Sequence, residues 1–477
     1  MVFSSIVFLF YFLPLFLLAF VLSGYSKYVL LFFSMVFYAW GEPTFLFLIV
    51  VMIALNYCFG LAVERGHANG SARFWVTIGI AANLLPLGFF KYSMFLTRTL
   101  VDIAGPIFAK LGIAPDHLLL HGIFLPLGIS FYTFHSLSYL IDVYRKDVRA
   151  ERSIRDLAIY LSMFPQLIAG PIIRYKTIAG ELHKPIISAA RTARGVQFLV
   201  VGLAQKVLIA NTVGASADAI FALPYNQLST SDAWLGVICY TLQIYYDFGG
   251  YSNMAIGLGL MIGFTYPLNF NYPYISASMT EFWRRWHISL SSWFRDYLYY
   301  PLGGNRISPA CTYLNLWIVF LLCGLWHGAA WNFVVWGAAH GSFLVLERRG
   351  LARVLERMPG PARHVYVMLA VMFTWVLFRE DTFGNAVRYY GAMLGVQPIL
   401  VNPAPLHRFL HDDVVLAIVA GIVASGPYGK RSLERIGSIL RVGEIQVGQL
   451  AGLAALFFLV TLSLAAGAYN PFIYFRF

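Results

Sequence analysis

Apolar runs about twenty residues long recur from one end of the chain to the other, and they limit its fold more than any other feature. A bilayer core of about 30 Å is crossed by about 20 helical residues. Inside lipid, helices satisfy every backbone N–H and C=O within their own segment, so successive apolar runs read as successive helices. Candidate spans lie near 2–24, 27–40, 43–63, 72–90, 121–144, 195–222, 234–265, 311–346, 363–378, 413–425 and 449–468. The run 311–346 has room for two helices bent at its glycines, and more polar candidates lie near 94–113 and 157–173. The pattern predicts an all-α polytopic membrane protein of about 11–12 transmembrane helices. It shows no internal repeat and no low-complexity linker, so a single membrane-embedded domain over 1–477 is expected.

Composition agrees. Hydrophobic residues make up 59% of the chain, aromatics 17% and charged residues 12%. A soluble domain carries about 25% charged residues to keep its surface wet, so most of this surface must face lipid. The net charge of +12 arises from 34 Lys and Arg against 22 Asp and Glu. In a membrane protein such an excess belongs in cytoplasmic loops near anionic headgroups. No basic stripe stands apart from the apolar segments, so nucleic-acid binding is not expected. Cys58, Cys239, Cys311 and Cys323 form no CxxC pair and lie in or beside apolar runs, as small buried residues do. The opening MVFSSIVFLFYFLPLFLLAFVLS lacks a basic n-region and a clear cleavage site, and reads as a retained span rather than a signal peptide.

Basic clusters orient the chain. They fall at 64–73, 145–155, 174–194, 347–357 and 430–435. With all of them cytoplasmic, the start lies outside, and parity makes 94–113 and 157–173 segments that enter without crossing. Irregular backbone at that depth is tolerated only when protein covers it or it lines a cavity, which suggests an internal chamber. The segment 276–306, SASMTEFWRRWHISLSSWFRDYLYYPLGGNR, is too charged to span and too aromatic to be a solvated loop. It reads as an interfacial or funnel-lining helix pair.

Among eleven histidines, His135, His287, His327 and His340 sit in strongly apolar or aromatic settings. Ionisable groups at membrane depth are costly and tend to mark functional sites. His327 lies within LLCGLWHGAAWNFVVWGAAHG, with Gly324 and Gly328 beside it allowing close approach. A histidine there either joins helices or does chemistry. His287 precedes the apolar run that carries His327, and a hairpin-like return would bring both imidazoles together. His340 lies more than three turns beyond His327, too far to share a small site on one straight helix, and reads as structural. His135 shares a helix with Ser130, Ser136, Ser138 and Asp142, a polar stripe that lines a tunnel or links helices. Asp247, in QIYYDFGGYSNMAIGLG, needs a partner: a histidine that it orients, or an arginine such as Arg284. No HExxH, GxSxG, Walker loop or zinc spacing is present, so metalloprotease, serine-hydrolase and P-loop chemistry lack support, and no metal ligands are expected.

FWRRWHISLSSWFRDYLYYPLGGNR followed by GLWHGAAWNFVVWGAAHG closely resembles the membrane-bound O-acyltransferase family. The match is closest to its branch of polysaccharide acetylases, typified by the alginate O-acetylation membrane subunit. It extends to MVFSSIVFLFYFLP, PLGISFYTFHSLSYLIDVYR, FPQLIAGPIIRY, YYDFGGYSNMAIGLG and NPFIYFRF, and is weakest over 380–470. The resemblance implies a ring of helices around a thinned core with re-entrant or interfacial helices, and histidine motifs within 276–346. It makes His327, in WHG, the essential histidine and His287 the second one.

Acyl transfer needs a base for the attacking hydroxyl, and a buried neutral imidazole supplies one. His327 is therefore the expected general base. His287 would orient the acceptor, hold the tautomer of His327 or donate to the developing oxyanion. Arg284, Arg285 and Arg295 would attract the phosphates of acetyl-CoA, or else reach lipid headgroups. Trp326, Trp286, Asp296, Asp247, Tyr246 and Asn332 complete the expected substrate-binding or tunnel residues. The resemblance further implies acetyl-CoA as a cytoplasmic donor rather than a bound cofactor, and a periplasmic acetyltransferase or other polysaccharide-modification subunit as partner. It also implies the bacterial inner membrane as location. Alternatives are D-alanyl or other acyl transfer to teichoic acid or peptidoglycan within the family, and a transporter outside it. A transporter of this size would often carry a repeat, and none is visible.

Overall fold

A computed structural model describes residues 2–110, 119–396, 406–428, 442–467 and 469–471. The end of the 94–113 candidate, the basic cluster at 430–435 and the terminal FIYFRF lie outside the described residues. Every regular element among the described residues is helical. Six helices are long and apolar enough to cross a membrane: Pro43–Asn69, Ala72–Gly105, Ala189–Phe221, Pro309–His327, Gly360–Arg379 and Val447–Ala465. Phe8–Leu22 and Lys27–Gly41 are shorter apolar helices. The chain is a polytopic membrane protein.

The packing divides into two compact units. The first comprises residues 10–188 and 262–265. Here the segment near 94–113 departs from expectation. It does not enter the membrane separately: the helix that starts at Ala72 runs through the π-turn Gly88–Tyr92 into Ser93–Lys110 without a break. At 1.5 Å per residue the 34 residues of Ala72–Gly105 reach about 50 Å, longer than one crossing of the core requires. The segment near 157–173 is different. Its helices Ile154–Ser162 and Phe164–Leu167 have nine and four residues, too short to cross. The helix Ile129–Tyr144 is buried along nearly its whole length. Its polar stripe binds neighbouring backbone and side chains: His135 Nε2 accepts from the Ile173 N–H at 3.2 Å, and Ser138 Oγ lies 3.1 Å from the Tyr160 hydroxyl.

The second unit comprises residues 2–9, 189–261 and 266–477. It is built on Thr230–Met261, a 32-residue helix buried on almost every side. A helix surrounded by protein need not be uniformly apolar, which is why this one carries Gln243, Asp247 and Asn253. Ala189–Ala204 crosses it where Gly202 and Gly250 meet; a Cβ on either would fall within 2.7 Å of the other's carbonyl oxygen. Small residues at such crossings let backbones approach, the main source of attraction between helices in lipid. One turn on, Lys206 in the π-turn Gln205–Ala210 pairs with Asp247 at 2.6 Å. Asp247 thus has a lysine as a partner.

Candidate active site

Two features bring His327 to its place. Ser308 caps the helix Pro309–His327 by accepting from the Cys311 N–H, and Pro309 suits its first turn. The helix ends at His327, and Gly328 and Ala330 adopt extended backbone before Trp331–Leu346 begins. The two helices then fold back on each other. A Cβ on Gly324 would overlap the Phe333 carbonyl oxygen, and one on Gly337 the Phe320 carbonyl oxygen, so glycine at both positions is what permits the crossing. His340 therefore does not continue along a straight helix from His327. It stands one turn beyond Trp336, and both rings flank that indole, with centroids at 5.2 Å for His327 and 4.6 Å for His340. The Trp283 N–H donates to His340 Nδ1 at 3.2 Å.

His327 is 6% exposed. Its ring is walled by Trp326 at 4.8 Å, Trp336 at 5.2 Å and Phe378 at 5.2 Å. Phe378 belongs to the last turn of Gly360–Arg379. Asn332 braces that end by donating its amide to the carbonyls of Leu377 at 3.1 Å and Glu380 at 2.7 Å.

The fourth wall is His287, with ring centroids 6.4 Å apart. It arrives on the segment read from sequence as interfacial, whose helices Met279–Arg285 and Ile288–Phe294 have only seven residues each. His287 caps the second of them with left-handed backbone, φ +44° and ψ +53°. A non-glycine residue there costs about 1–3 kcal/mol and persists only where its surroundings impose it. Here the N–H of Ile288 donates to the backbone carbonyl of Asn269 at 2.9 Å, and His287 Nδ1 lies 3.0 Å from Asn269 Oδ1. Phe248 meets the imidazole edge-on at 4.6 Å, and Trp326 stands 6.1 Å away. Burial pushes the His287 pKa well below the usual value of 6.5, so the ring is neutral.

The other expected residues are distributed differently. Trp286 is buried between Phe270 and Trp375, each at 5.0 Å. Arg284 and Arg295 are exposed and Arg285 is half-buried. Arg285 pairs with Glu281 at 2.9 Å and Arg295 with its neighbour Asp296 at 2.7 Å. The Tyr246 hydroxyl donates to the Gly421 carbonyl at 2.6 Å, joining two helices. Asn269, Trp336, Phe378 and Lys206 were not singled out by the sequence. A polar Asn in PLNFNYPY and a lone lysine in an apolar run are the signals that point to two of them. Among the described residues, three metal-type donors come together at Glu151, Asp156 and His183, where Asp156 is already held by Lys27 at 3.0 Å and Arg155 at 2.8 Å. Two cations on one carboxylate leave little attraction for a third.

Two buried imidazoles among aromatic walls suit proton transfer to and from an oxygen. The sequence profile of the membrane-bound O-acyltransferase family matches residues 5–378, a stretch that contains both imidazoles and most of their walls. The chain belongs to this family. As a membrane-bound O-acyltransferase it has relatives along its full length. It is 42% identical to a probable alginate O-acetylase AlgI of Azotobacter vinelandii over 507 aligned positions, covering all of both chains. It is 47% identical to a probable alginate O-acetylase AlgI of Pseudomonas aeruginosa, over 82% of this chain and 75% of that one. A peptidoglycan O-acetyltransferase of Helicobacter pylori is 34% identical over 84% of this chain and 81% of its own. The protein is an O-acyltransferase.

Proposed function

We propose that this acyltransferase O-acetylates an exported polysaccharide of the alginate type, from the bacterial inner membrane, with acetyl-CoA as the cytoplasmic donor. The observation that carries the chemistry is the pair of buried imidazoles 6.4 Å apart in an aromatic enclosure. The alginate O-acetylases it resembles over its full length support the acetyl group and the sugar class.

In the transfer, the acceptor hydroxyl oxygen forms a bond to the thioester carbonyl carbon and the C–S bond breaks. His327 takes the hydroxyl proton as the bond forms and returns it to the departing thiolate. Water excluded by Trp326, Trp336 and Phe378 cannot compete as nucleophile. The polysaccharide lies on the far side of the membrane from the donor, so the acetyl group passes through the protein to a hydroxyl outside, presented by the sugar or by a periplasmic acetyltransferase. Arg284 and Arg295, both exposed, are the cations that would meet the donor's phosphates.

The test is reconstitution in liposomes. Labelled acetyl-CoA is supplied on one side, and acceptors of three kinds on the other: polyuronate, peptidoglycan fragments and teichoic acid. Acetyl label on polyuronate alone supports the reading. Label on peptidoglycan alone moves the protein to the function of its Helicobacter pylori relative, and release of free acetate with no ester formed contradicts transfer.

A further inference from the structure

The hydrogen bonds around Asn269 settle which nitrogen of His287 carries the proton. A backbone N–H can only donate, and that of Ser289 lies 3.2 Å from Asn269 Oδ1. The Ser289 hydroxyl donates to the same atom at 2.9 Å. An amide nitrogen in that position would face the Ser289 N–H with its own hydrogens, so the atom is the carbonyl oxygen. An amide oxygen cannot donate. His287 Nδ1, 3.0 Å away, must therefore supply the hydrogen. In a neutral imidazole one nitrogen donates and the other accepts, so His287 Nε2 holds a lone pair. That Nε2 is buried and has no hydrogen-bond partner among the described residues. The Nδ2 group of Asn269 is likewise buried without a partner among them.

The ring has little freedom to exchange tautomers by turning over. Its residue is held at φ +44°, Phe248 stands edge-on at 4.6 Å, and Phe270 stacks at 6.4 Å. Segment 269–270 is itself tied to the cap, because the Asn269 backbone carbonyl receives the Ile288 N–H at 2.9 Å. Asn269 thus grips the motif at three consecutive residues, His287, Ile288 and Ser289. Of the rings around His287, Phe248, Phe270 and Trp326 do not titrate, and His327 is the titratable one.

We propose that Asn269 is a positioning residue that locks His287 in the Nδ1–H tautomer, so that His287 presents Nε2 to the site as a hydrogen-bond acceptor. This removes one of the three roles expected for it: a neutral His287 cannot donate to the oxyanion from Nε2. It leaves the other two, orienting the acceptor and holding the tautomer of His327, whose ring stands 6.4 Å away and takes the reacting proton. The catalytic consequence rests on the acyl-transfer reading; the tautomer does not.

The experiment therefore has two arms. The first is 15N NMR of the full-length protein with labelled histidine, the His287 signals being assigned by their loss in His287→Gln. The Nδ1–H pattern is expected, with Nε2 at the shift of an unprotonated nitrogen; an Nε2–H pattern overturns the proposal whatever the activity. The second is kinetics of Asn269→Asp and Asn269→Leu. Asn269→Asp keeps the acceptor and adds charge, so it should retain transfer and move the acid limb of the kcat/KM profile to higher pH. Asn269→Leu frees the tautomer and should lower kcat at least tenfold with KM nearly unchanged. An unmoved acid limb in Asn269→Asp overturns the proposal, and this variant answers even if Asn269→Leu fails to fold. A protein that shows the Nδ1–H pattern but transfers no acetyl group supports the lock and contradicts the functional reading instead.

Discussion

His287 and His327 place their rings 6.4 Å apart although they sit on separate motifs, one capping a seven-residue helix and the other ending a nineteen-residue span. Neither position is accidental. His327 is delivered by the glycine crossing of two antiparallel helices, and His287 by a left-handed cap that Asn269 holds. Each can be disturbed without touching an imidazole.

Gly324→Ala tests the first of these. The added Cβ would overlap the Phe333 carbonyl oxygen, which is backbone and cannot swing aside. Overpacking of this kind costs about 1–3 kcal/mol and pushes helices apart. The variant should unfold at lower temperature in detergent and lose most of its transfer activity. Unchanged activity and melting would mean that the crossing does not set the position of His327.

Lys206 and Asp247 pair at 2.6 Å with side chains 3% and 2% exposed. Removing one partner of a buried pair leaves a charge without compensation, at about 3–5 kcal/mol, whereas replacing both by apolar residues is often neutral. Lys206→Met should therefore destabilise strongly, and Lys206→Met with Asp247→Leu should recover part of the loss, the rest remaining because Lys206 Nζ also donates to Asn211 Oδ1 at 2.7 Å. Thermal unfolding of the three proteins checks this. A double variant as unstable as the single one would contradict an account in which the pair balances itself.

Glu380 follows Phe378 by two residues and makes stability depend on pH. Burial pushes its carboxyl up from 4.5 to about 7, against the smaller opposing pull of the Tyr225 hydroxyl and Arg379. A raised folded-state pKa means that the contribution of the protonated carboxyl is present in full below about 4.5 and is lost as pH rises through about 7. The melting temperature of the wild type should fall over that interval, and Glu380→Gln should flatten the fall. Parallel curves for the two proteins would contradict the assignment.

Much of this architecture was legible because lipid restricts backbone so strongly. Apolar length located the six helices long and apolar enough to cross a membrane but also counted others, such as the buried Ile129–Tyr144, and the mixed aromatic and basic pattern of 276–306 marked helices too short to cross. The two histidine motifs announced themselves as ionisable groups that apolar surroundings must justify. Four things were not legible. A π-turn at Gly88–Tyr92 looks like any apolar sequence, so one long helix was read as two segments. The glycine bend within 311–346 was legible, but not that its place at Gly328–Ala330 would set His327 and His340 on either side of Trp336. The partner of Asp247 was sought among histidines and arginines, because Lys206 hides in an apolar run and declares itself only when two helices cross. Asn269 escaped for a related reason: its role is a hydrogen-bond geometry around one oxygen, which no spacing encodes.

The central claim is that His327 moves the proton in transfer of an acetyl group to a hydroxyl. The most direct measurement is the rate at which purified protein moves labelled acetyl from acetyl-CoA to a polyuronate hydroxyl, in the wild type and in His327→Ala, with folding of both confirmed by melting. A general base of this kind contributes about 10²–10⁴ in rate, so the variant should remain folded and lose at least about a hundredfold in kcat. A folded His327→Ala protein that transfers acetyl at the wild-type rate would contradict the account.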